Sequence, residues 1–307
     1  MSITAQLSWK EKEEIAKGIE QGSAEWHAIR SHHLGASDAP MIMGVSPWNS
    51  RRELWLEKLG LGKVQEENDA MRTGKESERI IRNNFIYHSN ILVSPSVRFS
   101  RTTPFMMASL DGISECGNIA IECKLANKED HFRALTEKVV PDKYYPQLQH
   151  IISVCDLGNG ITYCSYNPYS FLPRDQFVMF DIPRDDEYIE KMIREEKKFW
   201  ECVRNFEEPE PGPNDLKRMD SSEWREASNE WKQAKLQLQI AEEKEKKYRQ
   251  QLIDLSEDDN CEGFGVKLLK VLRRGTIDYS RIEELKNLDL NKYRKQPTTS
   301  WRIIENV

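Results

Sequence analysis

Asp111, Glu122 and Lys124 carry the strongest chemical signal in this chain, within SLDGISECGNIAIECKLAN at 109–127. Asp111 closes an apolar approach formed by Phe105, Met106, Met107 and Leu110. Gly117–Asn118 then reads as a turn, and Ile119 to Leu125 alternates as a strand. Ile119, Ile121 and Cys123 face one way, and Ala120, Glu122 and Lys124 the other. Glu122 and Lys124 therefore share a face, and Asp111 on the preceding strand reaches the same edge. Two carboxylates and an ammonium at a strand end suit Mg2+, a hard ion that prefers oxygen and keeps several waters. The lysine of such a site orients, or helps deprotonate, the water attacking a phosphodiester, while the metal offsets charge on phosphorus. Many surface hairpins carry the same three residue types, so the flanking segments must decide.

Three segments flank this core. Upstream, MRTGKESERIIRNNFIYH reads as a helix with Ile80, Ile81, Phe85 and Ile86 facing the core. Its Glu78 is either another metal-side carboxylate or a solvated side chain. Downstream, Gln147 and Gln149 follow Tyr144–Tyr145 near a helix start, placed to aim amides at a phosphate or a bound water; glutamines beside aromatics are also commonplace. Near the N-terminus, EWHAIRSHHLGASDAPMIMGVSPW places Arg30 after Trp26–His27 and opens a short helix at Gly35-Ala-Ser37-Asp38. That segment is either a phosphate cradle of backbone N–H groups, Ser37 and a bidentate arginine, or plain capping of a core helix. His32 and His33 read as surface histidines.

Residues 1–206 have the texture of a packed α/β domain, and the acidic, proline-rich 207–215 reads as a linker. The remainder, 216–307, opens with one long helix over 222–256. Trp224, Trp231, Leu238 and Leu252 share a seven-residue series that only Glu245 breaks. Ala227, Ala234, Ala241, Tyr248 and Leu255 form a companion series. This stripe serves either docking within the chain or a partner. GFGVKLLKVLRRGTIDY then reads as a strand, a turn at Arg274–Gly275 and a second strand, and Ser280-x-x-Glu283 as a capping box. From Gly265 to Arg302 ten basic residues face four acidic ones, a solvated face or a phosphate contact.

Composition narrows the classes. The 307 residues hold 45 Lys+Arg and 51 Asp+Glu, a net charge of −6. This does not announce a nucleic-acid binder, but a metal-dependent nuclease carries carboxylates in its own site. Eight Trp, ten Tyr and ten Phe exclude wholesale disorder. The six cysteines form no CxxC pair, so neither zinc nor iron–sulfur ligation is signalled. No run approaches the ~18–20 apolar residues of a membrane span, and the start MSITAQLSWKEKEE lacks a signal-peptide core. Scattered thiols suit a reducing cytoplasm.

Taken in order, W-x3-R…G-x-S-D-x5-GVSPW, G-x3-E, SLDG…ECK and YY-x-QLQ resemble the lambda-exonuclease-like, YqaJ-type viral recombinase family of PD-(D/E)xK nucleases, over roughly residues 25–155. The resemblance implies an α/β core of central mixed sheet and flanking helices, followed here by the long helix and a small α/β appendage. It implies two Mg2+ ions, replaceable by Mn2+, held by Asp111, Glu122, the Cys123 carbonyl and Glu78, with Lys124 positioning the water and Gln149 at the site's edge. Arg30, Ser37 and Ser109 match positions gripping a 5′-phosphate, with Gln147 nearby. Lys128 or Arg133 stands in for a further arginine of the family. The implied activity is 5′→3′ resection of linear double-stranded DNA by a ring-shaped homotrimer, leaving 3′ tails for a single-strand-annealing partner. The alternatives are a structure-specific or restriction-like endonuclease and an inactive recruiting module.

Overall fold

Strand β3 (Met106–Ser114) organises the molecule, with every residue buried except the half-buried Ser109. The computed structural model describes residues 9–16, 18–19, 21–62, 69–170, 172–213, 215–217, 219–271, 275, 282 and 295–296. One edge of β3 pairs with antiparallel β2 (Val93–Phe99). The other edge is shared. At its start the two-residue strand β1 (Leu34–Gly35) runs parallel, Leu34 opposite Met106 and Gly35 opposite Met107. At its end β4 (Ala120–Leu125) runs antiparallel, paired only at Gly112–Ile121 and Ile113–Ala120. Met107 and Ile113 both meet β2 on their far side, so β1 and β4 occupy the same edge. Between them the edge forks around Ser109–Asp111. Parallel β5 (Ile161–Tyr166) and antiparallel β6 (Phe177–Ile182) complete a six-stranded mixed sheet.

A bulge lies at the fork. From the Ser94–Ile113 pair to the Ser96–Leu110 pair, β2 advances two residues while β3 advances three. The extra residue turns the chain locally, and Leu110 and Ile113 both enter one core cluster although an odd number of steps separates them. Gly112 is required beside it, because a Cβ there would fall 2.8 Å from Ile121 Cγ1 and 2.9 Å from Val93 Cγ2.

Four short helices, α1 (Trp9–Ala16), α2 (Ala24–Arg30), α3 (Ala39–Ile42) and α4 (Arg51–Lys58), come before those that cover both faces. On one, α7 (Tyr145–Cys155) and α8 (Asp186–Asn205) contribute Leu148, Ile151, Ile152 and Ile189 to a core with Ala108, Leu110 and Tyr163. On the other, α5 (Asp69–Ser89) buries Ser77, Ile81 and Phe85 at four-residue spacing. Ile81 and Phe85 pack on Val93, Ile121 and Cys123. Ile80 does not join them as the sequence suggested: it is 45% exposed, one position round the helix from Ile81. The β4 alternation holds, with Ile121 and Cys123 toward α5 and Ala120 in the α7 core.

The contacts divide the chain into Met1–Arg218 and Met219–Val307. Residues 207–215, expected as a linker, belong to the first unit. Arg52 Nε donates to Glu208 at 2.5 Å and the Arg52 amide to Asp215 at 3.2 Å. In the second unit α9 (Ser222–Leu255) is capped by Ser221 and buries none of its residues, so Trp224, Leu238 and Tyr248 of the apolar stripe are exposed. A hairpin of β7 (Cys261–Gly263) and β8 (Val266–Leu268) follows. Its turn falls at Phe264–Gly265, both at positive φ, where a single strand was expected. Most of the rest of the expected appendage, including Arg274, Ser280 and Glu283, lies outside the described residues.

Candidate active site

Where β4 leaves β3, the Cys123 amide donates to Asp111 Oδ2 at 2.7 Å. The bulge has swung the Asp111 carboxylate into the widening gap between the strands. A residue on a strand presents its N–H and C=O to the same side, so the Cys123 carbonyl also opens toward the fork. Arg82 of α5 donates to the Asp111 carbonyl from beside it.

Glu122 is 2% exposed, and its two oxygens are used differently. Lys124 Nζ and Gln147 Nε2 both donate to Oε1, each at 2.6 Å. Oε2 is buried with no partner among the described residues, a costly arrangement for a carboxylate oxygen. Glu78 of α5 lies within electrostatic reach of Asp111 and Glu122.

The carboxyls hold their protons tightly. Burial first, then the Asp111 charge, pushes Glu122 up to about 8. The same causes bring Glu78 to about 7. Asp111 is raised by burial against the opposing pull of Lys124, the Cys123 N–H and Arg82. Burial works against the Lys124 ammonium, but Glu122 and Asp111 outweigh it and hold its pKa above the ordinary value. Its ring neighbour Tyr144 lies with its centroid 4.9 Å from Nζ. Among the described residues no three His, Cys, Asp or Glu side chains enclose an ion unaided. The unpartnered Glu122 oxygen, the mutual repulsion of the carboxyls and the exclusively oxygen donor set nonetheless fit a hard divalent cation that keeps waters of its own.

At the other arm of the fork Asp38 is fully buried and holds two cations. Arg30 Nη2 meets Oδ1 at 2.5 Å, and the buried Lys58 Nζ meets Oδ2 at 2.7 Å. The Gly35 amide donates to Oδ2 as well. Burial alone would raise Asp38, but Arg30 and Lys58 overcome it and hold the carboxyl down at about 2. Arg30 also donates to Ser37 Oγ at 2.9 Å and lies 5.4 Å over the Trp26 ring. The Trp26 indole N–H in turn donates to Ser109 Oγ at 2.8 Å. Arg30, Ser37 and Ser109 are thus one connected group, with the Gly35 hydrogens leaving room for the guanidinium.

Other sequence expectations fall elsewhere. Gln149 does not reach the carboxylates: its amide donates to the Pro183 carbonyl and accepts from the Asp185 amide, tying α7 to the start of α8. Two positions apart on a helix means nearly opposite faces, so Gln147 takes the place at Glu122. Lys128 and Arg133 lie on α6 (Lys128–Glu137), exposed, with Arg133 paired to Glu137 at 3.3 Å; neither contacts the Arg30 group. His33 is buried rather than at the surface, bonded to Ile29 and Lys12, and burial lowers it to about 4. Sequence reasoning missed Lys58 and Arg82, whose roles depend on helix packing. It passed over Asp38 although the GASD motif contained it.

This forked mixed sheet, with its helices on both faces, is similar in fold to solved alkaline exonuclease structures. The alkaline exonuclease LHK-Exo of Laribacter hongkongensis matches with a TM-score of 0.53 at 24% identity, over 60% of this chain and 94% of that one. The complex of LHK-Exo with dAMP matches at a TM-score of 0.54, 23% identity and the same coverage. Residues 25–158 match the model of the YqaJ-like viral recombinase domain, over the stretch whose motifs carried the resemblance. The uncharacterized protein YqaJ of Bacillus subtilis (strain 168) is 29% identical over 197 residues, 63% of this chain. The match spans 60% of that relative's length. Among the described residues no helix is long and apolar enough to cross a membrane.

Proposed function

We propose that the chain is a metal-dependent 5′→3′ exonuclease of linear double-stranded DNA, producing 3′ tails for recombination by strand annealing. The observation that carries this reading is the adjacency of two pockets on one strand. Ser109 belongs to the Arg30–Ser37 group and Asp111, two residues on, to the carboxylate group. Two residues are about 7 Å of strand, comparable to the rise of about two stacked nucleotides. An anion pocket this near the cleavage residues favours attack at the first linkages of a strand whose 5′-phosphate it holds. The dAMP bound by LHK-Exo is consistent with a nucleotide product.

In this reading Asp111, the Oε2 of Glu122, the Cys123 carbonyl and Glu78 would hold two Mg2+ ions, with Mn2+ as a substitute. The metal supplies charge stabilisation and lowers the pKa of water. Lys124 stays an ammonium, so it orients the attacking water and neutralises charge rather than accepting a proton. Gln147 fixes the Glu122 carboxylate so that one oxygen stays turned to the site. Arg30 grips the terminal phosphate while Asp38 and Lys58 hold the guanidinium in place. A homotrimeric ring and an annealing partner follow from the family resemblance and complete the proposal.

The test offers purified protein and Mg2+ three substrates: linear duplex with 5′-phosphate ends, the same duplex with 5′-hydroxyl ends, and closed circles. Nucleotide release mainly from the phosphorylated linear form, abolished in Lys124→Ala, is the expected result. Cutting of circles would make the protein an endonuclease. Binding without hydrolysis would make it a recruiting module.

A further inference from the structure

Trp48 is an exposed tryptophan close to the carboxylate site. In the first unit Trp55 is buried and Trp26 and Trp200 are half-buried, whereas Trp48 is 64% exposed. Its loop is nonetheless held firmly. The amides of Trp48 and Asn49 both donate to the buried Ser46 Oγ at 3.3 Å. The Val45 and Ser46 amides donate to the Pro40 carbonyl at 3.0 and 3.1 Å, and Pro47 fixes the backbone before the ring. The indole lies 6.1 Å from the Tyr144 ring at an interplanar angle of 31°, and Tyr144 is the ring beside the Lys124 ammonium. Lys143 Nζ stands 5.6 Å from the Trp48 centroid and 5.2 Å from that of Tyr144, anchored by Asp130 at 2.6 Å.

We propose that the exposed face of Trp48 stacks the base of a nucleotide flanking the scissile phosphate. This rests on the nuclease reading for the identity of the polymer. An exposed, pre-ordered indole has little conformational entropy to lose when a flat partner lands on it. Every base has a π-face, so a tryptophan platform is sequence-tolerant, as a nuclease that consumes any end requires. One ring-to-ring step of 6.1 Å and one ring-to-ammonium step of 4.9 Å separate the indole from Lys124, within the reach of one nucleotide. The Lys143 ammonium adds positive charge beside the stack, suited to the backbone of the same strand. An unpaired base is implied, because a base inside a duplex has both faces covered by its neighbours. Trp48 is a positioning residue for the strand end.

The experiment is a double-mutant cycle on binding, run in EDTA so that hydrolysis plays no part. Affinity for a short 5′-phosphorylated single-stranded oligonucleotide is measured with wild-type protein, Trp48→Ala and Trp48→Phe. The oligonucleotide is also made with an abasic site at each of its first positions in turn. Trp48→Ala should weaken binding roughly 5- to 150-fold, the range found for single base–aromatic stacks, and Trp48→Phe much less. At one position the abasic site should cost wild type a similar factor and cost Trp48→Ala nothing further. Additive losses at every position, wild-type affinity in Trp48→Ala, or no binding by wild type would each overturn the proposal. The nuclease reading fails by a separate signal, the absence of Lys124-dependent hydrolysis in Mg2+.

Discussion

Asp111 Oδ2 accepts the amide proton of Cys123 at 2.7 Å, where an uninterrupted β3–β4 ladder would place a backbone carbonyl. One carboxylate oxygen is thus spent on the sheet and the other is left for chemistry. The two roles can be separated by substitution. In Asp111→Asn the side-chain oxygen still accepts from Cys123, so folding stability should stay near wild type while hydrolysis and divalent-cation binding are lost. Asp111→Ala should lose both, with about 1–3 kcal/mol of stability gone because a buried N–H is left unpaired. Urea titrations beside calorimetric Mg2+ titrations distinguish the variants; a stable Asp111→Asn that still binds Mg2+ like wild type would remove Asp111 from the metal set.

Stability should depend on pH through Glu122. Its folded pKa of about 8 stands above the ordinary glutamate value of 4.5, so the folded chain binds this proton more tightly than the unfolded one. The sign is then fixed. Metal-free protein is more stable at the acid end of this window and loses stability as pH rises from about 4.5 to about 8. Mg2+ should restore melting temperature most at the alkaline end, where the ion meets no competing proton. Glu122→Gln should flatten the alkaline loss. His33, lowered to about 4, acts oppositely below about pH 6.5 and is unchanged in that variant.

Gly35→Ala tests the anion pocket without touching a polar group. A Cβ at Gly35 would fall 2.2 Å from Arg30 Nη1, the far end of a flexible side chain. The guanidinium should therefore move while the fold tolerates the change. The ratio of rates on 5′-phosphate and 5′-hydroxyl duplex should fall by roughly 10-fold or more, the worth of a hydrogen bond to a charged group. An unchanged ratio would mean that Arg30 does not read the end.

The two glutamines of α7 should part company. Gln147→Ala removes a donor to Glu122 and should lower turnover with a small effect on melting. Gln149→Ala leaves the Asp185 amide without its acceptor at the start of α8 and should lower melting temperature while the folded fraction keeps its rate. Reversal of that pattern would return Gln149 to the site.

Much of the site was legible because its signals are local. Strand alternation put Glu122 and Lys124 on one face without knowledge of the sheet, and ordered motifs linked Arg30, Ser37 and Ser109. What was hidden depends on how elements rotate against one another. Whether Gln147 or Gln149 faces the sheet is decided by the packing of Leu148, Ile151 and Ile152. His33 is buried because Lys12 and Phe99 close over it, and neither is near it in sequence. The β3 bulge was invisible, since Asp111–Gly112 reads equally well as an ordinary strand step. In the second unit a Gly-Phe-Gly stretch concealed the turn at Phe264–Gly265.

The fork also has a mechanical side. Only two residue pairs set the register of β3 against β4, with the Ser114 amide donating to the Ile119 carbonyl beyond them, so Asp111 closes part of the seam through the Cys123 amide. In the proposed function, cohesion and chemistry draw on the same few atoms. Substitutions that tighten this seam with ordinary strand pairing would consume the oxygen and the gap the site needs. The sheet is therefore held at one of its thinnest joints by a residue proposed to serve the chemistry.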